Sequence, residues 1–395
     1  MELETRQTGA PIPMAFCVFW FIDSGMATAD VTVHSSQFPE NVRRELLDCL
    51  CARRVNPKFH YGSYKQAQLW LALHEGFSPS RTDPDCLAIY GSAFAAAAGR
   101  VTARQAEVIG LGCGGGQKEA RLLRLLAGQG KKVSYRPCDV SLPLALTARQ
   151  AALEAAGNLP CFPLICDLAL AVDWRELFGR HRDTGAARLI TFFGMIPNFE
   201  PETILPRLAG LMCGGDVLLL SANLAPGPGY AAGMRRILPG YDNPPTRDWL
   251  TAFLFDLGFA PEDGTVRFAI EDAASGLKRV AAYFDLTQDR ALTVMGESLA
   301  FRAGESIRLF FSYRYTPDRL RAALGLHGLD ALREWVAASG EEGVFLCQTK
   351  QRSVSRTALT RGTSWVRKRS VLPRAASTAK KGSAARTSSP KQAKA

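Results

Sequence analysis

The chain has 395 residues, and 47% of them are hydrophobic, which is enough to bury the core of one large domain or two ordinary ones. Its formal net charge is +11 at pH 7, but that charge is unevenly distributed. From Lys350 onward there are 13 Lys or Arg and no Asp or Glu, so the first 349 residues hold 35 basic and 37 acidic side chains. A slightly acidic body argues against nucleic acid as the substrate of a pocket, because a groove that tracks phosphates needs clustered basic side chains.

Ten cysteines occur without a Cys-x-x-Cys pair and without histidines that would complete a metal-ligand set. We therefore expect no disulfide framework, no metal, and a reducing, cytoplasmic location. The apolar run from Ala15 to Ile22 is too short to span a membrane, and we expect no membrane association. Residues 1–37 are predicted to be disordered or not translated, with Met26 as the alternative start.

The pattern becomes helical from Pro39. Val42, Leu46, Leu47 and Leu50 share one face of a predicted helix, and a second helical segment runs from Lys65 to His74. Residues 38–100 are therefore predicted to form an N-terminal helical lid.

Residues 101–224 alternate between apolar strands and helices, which predicts a parallel sheet with right-handed crossovers. The first strand ends in a glycine cluster from Gly110 to Gly116, and a helix follows immediately. A ligand can approach the backbone of such a turn closely. The four later strands are predicted at 132–138, 161–166, 188–194 and 216–222.

Polar side chains follow the ends of these strands. Asp139 and Asp167 end the second and third strands, and Asn198 follows the fourth. Polar groups at successive strand ends are expected where a nucleoside lies across the carboxyl edge of a parallel sheet. The alternatives are that the two aspartates cap helices and that Asn198 caps a turn or a helix.

The glycine loop itself discriminates between cofactors. Its sixth position is Gln117 instead of the glycine of the dinucleotide fingerprint, and Lys118 follows. This departure disfavours NAD and favours S-adenosylmethionine, whose carboxylate would be attracted by Lys118 and by the helix N-terminus.

Beyond Asn223 the pattern changes. Loops, a short helix from Thr246 to Leu257 and strands at 277–288, 291–301 and 306–315 predict an inserted α+β substrate module over residues 225–315. Residues 316–349 are predicted to return to the core sheet, with a helix capped by Thr316 and a last strand near Val344 to Cys347. Residues 350–395 form a basic, low-complexity tail, which is either a solvated extension or a nonspecific contact with nucleic acid or an acidic partner.

Seven short segments occur in a characteristic order along the chain. They are Asn56-Pro-Lys-Phe-His-Tyr61, Phe77-Ser-Pro-Ser-Arg81, Gly112-x-Gly-x-x-x-Lys118, Cys138-Asp-Val-Ser141, Phe192-Phe-Gly…Pro-Asn198, Gly240-Tyr-Asp242 and Tyr313-Arg-Tyr-Thr-Pro317. Together they resemble a known family, the histidine-specific S-adenosylmethionine-dependent N-α-methyltransferases of the ergothioneine type. The resemblance covers roughly residues 38 to 348, and its most specific parts are the glycine loop with its lysine and the phenylalanine-glycine segment before Asn198.

The resemblance implies a doubly wound, Rossmann-like class I methyltransferase α/β fold and an enzyme that methylates nitrogen. It also implies roles for individual residues. The cofactor S-adenosyl-L-methionine would be bound by Gly112, Gly114, Lys118, Asp139, Asp167 and Leu168. The catalytic residues that hold the acceptor would be Asn198, Tyr241 and Tyr61, although both tyrosines are also compatible with ordinary half-buried positions.

Two substitutions distinguish this chain from the family pattern. Phe77 replaces a tyrosine, and an alignment through Val280 puts Ala281 and Tyr283 where the family reads the imidazole with a glutamate and a serine. We therefore expect a divergent member that methylates a different small amine or amino acid. The alternatives are a methyltransferase of a macromolecule tethered by the basic tail and a non-catalytic nucleoside-binding protein.

The tail is predicted to be separable, because residues from Ala375 onward lack the apolar content to join a core. Truncation before Ala375 should leave thermal unfolding and cofactor binding unchanged. If the tail contacts nucleic acid, only the full chain will retain DNA at low salt, and it will release the DNA steeply as salt rises. A truncated protein that no longer folds or binds cofactor would contradict separability.

Overall fold

The computed structural model describes residues 28–179 and 185–350. Predictions for residues 1–27, and for the tail beyond Lys350, lie outside the described residues. The central feature is an eight-stranded sheet. Its strands are β1 (Thr32–Val33), β2 (Gln105–Leu111), β3 (Lys132–Asp139), β4 (Leu164–Ile165), β5 (Ala187–Phe193), β6 (Val217–Asn223), β12 (Leu329–Val336) and β13 (Glu342–Thr349). They lie in the order β1-β4-β3-β2-β5-β6-β13-β12.

The strand order reverses between β2 and β5. From β2 the sheet extends through β3 and β4 to one side and through β5 and β6 to the other, with all five strands parallel. β13 pairs antiparallel with β6, and β12 pairs antiparallel with β13. The predicted doubly wound α/β fold is thus confirmed, and the reversal places a crevice at the carboxyl ends of β2 and β5.

The helices of the described residues are α1 (Pro39–Cys51), α2 (Tyr64–Phe77), α3 (Pro79–Thr82), α4 (Pro84–Ala98), α5 (Gln117–Gly128), α6 (Leu142–Ala156), α7 (Trp174–Leu177), α8 (Pro201–Leu211), α9 (Tyr230–Ile237), α10 (Pro244–Asp256) and α11 (Pro317–Leu326). Six of them cover the two faces of the central sheet. α4, α5 and α6 share a core with one face, whereas α7, α8 and α11 share a core with the other.

Residues 264–314 form a second, antiparallel sheet and a hairpin, together called the antiparallel unit. Their strands are β7 (Gly264–Asp272), β8 (Lys278–Leu286), β9 (Arg290–Val294), β10 (Glu297–Phe301) and β11 (Ser306–Arg314). The sheet has the order β11-β8-β7, and β9 and β10 form the hairpin. Leu46 and Leu50 of α1 are buried in the same core as Trp249 and Leu250 of α10 and Phe284 of β8. The first helix therefore packs on the antiparallel unit.

The structure differs from the sequence predictions at several elements. Thr32–Val33 lies within the segment predicted to be disordered, yet it adds to the sheet because its backbone pairs with β4. The third predicted strand shrinks to Leu164–Ile165, since Pro163 has no amide hydrogen to donate. α4, predicted as part of the lid, packs against the central sheet. β7 and β12 were not predicted. None of the described helices is long and apolar enough to cross a membrane.

Gly116 provides a test of the turn between β2 and α5. Its φ is +72°, and an added Cβ would lie 2.6 Å from the backbone Cα of Ala148. Gly130 has a similar φ of +76° but nothing within 4 Å. Gly130→Ala should cost only the strain of the left-handed backbone, about 1 to 2 kcal/mol, and Gly116→Ala should cost at least about 1 kcal/mol more because α6 must shift. Urea unfolding measures both, and equal losses of the free energy of unfolding would contradict the close approach.

Candidate active site

A cavity of about 910 Å³ lies at the carboxyl ends of the parallel strands. All nine residues singled out from the sequence line it, and so does Phe77, whose side chain is exposed. The nine are Tyr61, Gly112, Gly114, Lys118, Asp139, Asp167, Leu168, Asn198 and Tyr241. The fold thus brings residues from the predicted lid, core and substrate module to one place.

The glycine loop is closely packed on both sides. Gly112 and Gly114 have φ values of +65° and +52°, which residues with a Cβ rarely adopt. A Cβ at Gly112 would overlap the Sδ of Met195, and one at Gly114 would lie 2.6 Å from a ring carbon of Trp70. The close approach of Met195 and Trp70 therefore requires glycine at both positions, and both glycines line the cavity.

Asp139 ends β3 beside this loop. Its carboxylate accepts hydrogen bonds from the backbone amides of Gly114, at 2.9 Å, and Ser141, at 3.0 Å. Burial raises the pKa of Asp139 to about 6, although these amide hydrogen bonds act in the opposite direction. The carboxylate is therefore held in a fixed orientation and lines the cavity.

Asp167 lies two residues after β4 and also lines the cavity. One of its oxygens accepts from the amide of Ala169 at 2.8 Å, and the other lies 3.3 Å from the Nζ of Lys58. Lys58 is buried and also pairs with Glu45 of α1. Leu168 is buried, and its carbonyl accepts from Arg207 at 2.7 Å. No local pattern in the sequence indicates the Lys58 contact, which joins the first helix to this strand end.

Lys118 lies in the first turn of α5. Its side chain is 16% exposed, and its Nζ lies 4.7 Å from the ring centre of Tyr90 and 4.0 Å from the carboxylate of Glu342. Burial is the main reason that the pKa of nearby His74 falls to about 3, and the charge of Lys118 lowers it further. His74 is consequently neutral at pH 7, whereas Lys118 offers a positive charge to the cavity.

Tyr241 and Asn198 contribute further polar groups, from segments that follow the glycine loop in the chain. The Tyr241 hydroxyl donates to the Oγ of Ser312 at 3.0 Å and accepts from the Nε and Nη2 of Arg314 at 3.0 and 2.9 Å. Asn198 ends a short 3-10 helix after β5 and is half-buried. Ser312 and Arg314 were not predicted as site residues.

Tyr61 packs against aromatic side chains of both α2 and α10. Its ring lies 5.8 Å from Trp70 and 5.6 Å from Trp249, measured between ring centres. Burial raises the pKa of the Tyr61 hydroxyl, and the negative charge of Asp139 raises it further. Tyr61 and Asp139 line the same cavity.

The prediction that Ala281 and Tyr283 lie at the side-chain end of the acceptor is wrong. Both are on β8, the central strand of the antiparallel sheet, and neither lines the cavity. Ala281 is fully buried, and the Tyr283 hydroxyl donates to Glu271. The edge strand β11 lines the cavity instead, through Phe310 and its neighbours.

Phe310 is the centre of an aromatic wall. Its ring centre lies 5.8 Å from that of Trp249 and 6.4 Å from that of Tyr241. Alternation along β11 from Phe310 through Ser312 to Arg314 was the available signal, but a bulge between Arg308 and Phe310 obscures which face each residue occupies. Among the described residues no group of His, Cys, Asp or Glu is arranged to hold a metal ion.

Comparisons with solved structures find low similarity over much of the chain. They include a putative methyltransferase from Thermobifida fusca, with 12% identity, coverage of 75% of this chain and 95% of the other, and a TM-score of 0.39. Magnesium protoporphyrin IX methyltransferase from Synechocystis with bound SAH has 14% identity, coverage of 79% and 97%, and a TM-score of 0.35. Similarity at this level carries no argument about function.

The family comparison is more decisive. No curated protein matches the chain. A family profile described as histidine-specific methyltransferase, SAM-dependent, matches residues 42–243 and 256–349, which is about three quarters of the sequence. The match runs from α1 to the last strand of the central sheet and includes all nine residues that were singled out from the sequence. The chain therefore belongs to the histidine-specific, S-adenosylmethionine-dependent methyltransferases.

Proposed function

We propose that this methyltransferase transfers methyl groups to the amino nitrogen of an amino acid or small amine whose side chain is apolar or aromatic. The observation that carries the proposal is the wall formed by Phe310, Trp249 and Tyr241, in the same cavity as the glycine loop. The acceptor is the part of the proposal that goes beyond the family.

The residues of the cavity fit S-adenosylmethionine. Gly112 and Gly114 offer a backbone without side chains, and Asp139 offers charged acceptors to the two ribose hydroxyls. Asp167 and Leu168 would hold the adenine, and Lys118 would hold the methionine carboxylate. When bound, the cofactor supplies a methyl group already activated by its sulfonium, so the protein needs mainly to align a nucleophile and exclude water.

The polar groups around Tyr241 suit the α-amino acid end of an acceptor. Two guanidinium N–H groups of Arg314 donate to the Tyr241 oxygen, which makes the hydroxyl a stronger donor. Its one proton is directed to Ser312 in this structure and would turn from Ser312 to a bound carboxylate. The Asn198 amide offers an acceptor to an amine and donors to a carboxylate. Together these groups would fix the reacting nitrogen.

The nucleophile must be the neutral amine, since an ammonium has no lone pair. The aromatic side chains of Tyr61, Trp249 and Phe310 exclude water from their part of the cavity, and desolvation lowers the pKa of an amine. As methylation moves positive charge to nitrogen, aromatic faces attract that charge. No strong acid or metal is required by this chemistry.

The same wall disfavours histidine. The rings of Phe310 and Trp249 offer an imidazole nitrogen no partner, since the Trp249 Nε1 donates to the backbone oxygen of His60. A buried ring nitrogen left unpaired against them would cost about 1 to 3 kcal/mol. The polar side chains on β7 and β8 that could replace a missing partner are occupied. Glu271 pairs with Arg279 and Tyr283, and Asp285 pairs with Arg267.

Asp139→Ala should weaken the binding of S-adenosylhomocysteine by about 1.5 to 3 kcal/mol, because charged hydrogen bonds to the ribose are lost. Isothermal titration calorimetry measures this loss. Asp289→Ala is the matched control, since Asp289 is exposed and, among the residues that the structure describes, bonds only to Arg302 and Ala303. NAD should not bind either protein. Full-strength binding by Asp139→Ala would contradict the ribose assignment.

The binding of S-adenosylhomocysteine should weaken as pH falls through about 6. Asp139 has a raised pKa of about 6 in the free protein because of burial, and only the ionised carboxylate accepts both ribose hydroxyls. Below that pH a proton must leave before binding, so affinity drops by up to about tenfold for each pH unit. Asp139→Asn should bind weakly with no such dependence. An equal affinity of the wild type at about pH 5 and about pH 7.5 would rule out this role.

Phe310→Ala should lower kcat/KM for an aromatic amino acid acceptor by about 10- to 100-fold, because burial of the side chain against the ring is lost. Tyr283→Phe is the control and should have no effect. Mass spectrometry of a panel of amino acids and small amines identifies the acceptor, and L-histidine should be methylated weakly or not at all. Efficient trimethylation of histidine by the wild type would refute the proposal.

A further inference from the structure

The ammonium group of Lys118 lacks a hydrogen-bond acceptor within the described part of the chain. Its side chain is mostly buried, and its Nζ is surrounded by the rings of Tyr90 and Phe193, at 4.7 and 5.9 Å from their centres. The carboxylate of Glu342 is 4.0 Å away, which is too far for a hydrogen bond. Three donors of a buried cation therefore remain available to a ligand in the cavity.

Glu342 is brought to this place by the antiparallel pairing of β13 with β6, in which it lies opposite Asn223. It is buried, yet it lines the cavity. The hydroxyl of Tyr90 donates to one of its oxygens, and the thiol of Cys86, a weak donor, lies 3.5 Å from the other. Neither of these partners is charged, so the negative charge of Glu342 is only partly satisfied.

A chain of hydrogen bonds fixes the orientation of Glu342. The amide of Gly194 donates to the Oγ of Ser221 at 2.9 Å, and the Ser221 hydroxyl lies 2.8 Å from the hydroxyl of Tyr90. With Tyr90 donating to Glu342, the Ser221 hydroxyl must donate to Tyr90. The network is buried and joins the end of β5 to the start of β13.

Two opposite charges that are 4.0 Å apart and not bonded to each other complement the two charges of an α-amino acid. We propose that Glu342 binds the α-ammonium of the cofactor's methionine moiety while Lys118 binds its α-carboxylate. This inference rests on the proposed placement of the cofactor. Lys118 directly follows the glycine loop, in the first turn of α5, and this assigns the pair to the cofactor and not to the acceptor.

The test compares three ligands by calorimetry: S-adenosylhomocysteine, its analogue without the α-amine, and 5′-methylthioadenosine, which lacks the whole amino acid. Glu342→Gln should weaken the binding of S-adenosylhomocysteine about 10- to 100-fold, the range for a lost charged hydrogen bond. It should change the affinities for the other two ligands by less than about threefold. Lys118→Met should weaken the binding of both ligands that carry the carboxylate.

Glu341→Gln is the matched control, since this neighbouring carboxylate also lines the cavity, and it should leave all three affinities unchanged. An equal weakening of all three ligands by Glu342→Gln would identify a merely structural role and overturn the proposal, as would no weakening at all. The wild type alone tests the proposal even if the variant does not fold. It must bind S-adenosylhomocysteine at least about tenfold more tightly than the amine-free analogue, and equal affinities would overturn the proposal.

No acceptor is needed for these measurements, so they are independent of the proposed substrate. If the protein discriminates among the three ligands as expected but methylates no apolar amino acid, the roles of Glu342 and Lys118 stand and the proposed acceptor is wrong. A protein that binds none of the three ligands would overturn both the inference and the cofactor placement on which it rests.

Discussion

The hydrogen bond from the Gly114 amide to the Asp139 carboxylate is the contact on which the site depends. It ties the loop after β2 to the end of the neighbouring strand β3, and the left-handed backbone of Gly114 makes it possible. Trp70 of α2 occupies the space where a side chain at Gly114 would lie. The same contact therefore sets the position of the glycine loop, of the proposed ribose acceptor and of a helix that covers them.

The helices at the start of the chain and the antiparallel unit share one core. α1 and α2 contribute Leu46, Leu50 and Trp70 to the cluster that contains Trp249 and Phe310. Lys58 bridges this part of the chain to Asp167 at the end of the central sheet. The aromatic wall and the helices that pack over the glycine loop are therefore one packed structure, so a change of side-chain volume in one part will shift the other.

The parts of the site that were predicted from the sequence depend on local signals. Apolar strands of a parallel sheet end at one edge, so Asp139, Asp167 and Asn198 were expected to meet the glycine loop, and they all line one cavity. Tyr61 and Tyr241 required the family resemblance. The structure places both tyrosines on the same cavity as the glycine loop.

The parts that were missed depend on long-range pairing. The register of β11 against β8 is interrupted by a bulge after Arg308, so alternation along the strand does not reveal that Phe310 faces the cavity. The family alignment through Val280 pointed instead to Ala281 and Tyr283, which lie on β8 and do not line the cavity. Glu342 approaches Lys118 only because β13 pairs antiparallel with β6, a connection that no local pattern encodes.

The most direct test of the proposed site is a crystal structure of the protein with S-adenosylhomocysteine and an aromatic amino acid bound together. We expect the ribose hydroxyls on Asp139, the amino acid's carboxylate near Tyr241, and its ring against Phe310 and Trp249. A ribose that does not contact Asp139, or an amino acid side chain bound away from Phe310, would contradict this arrangement.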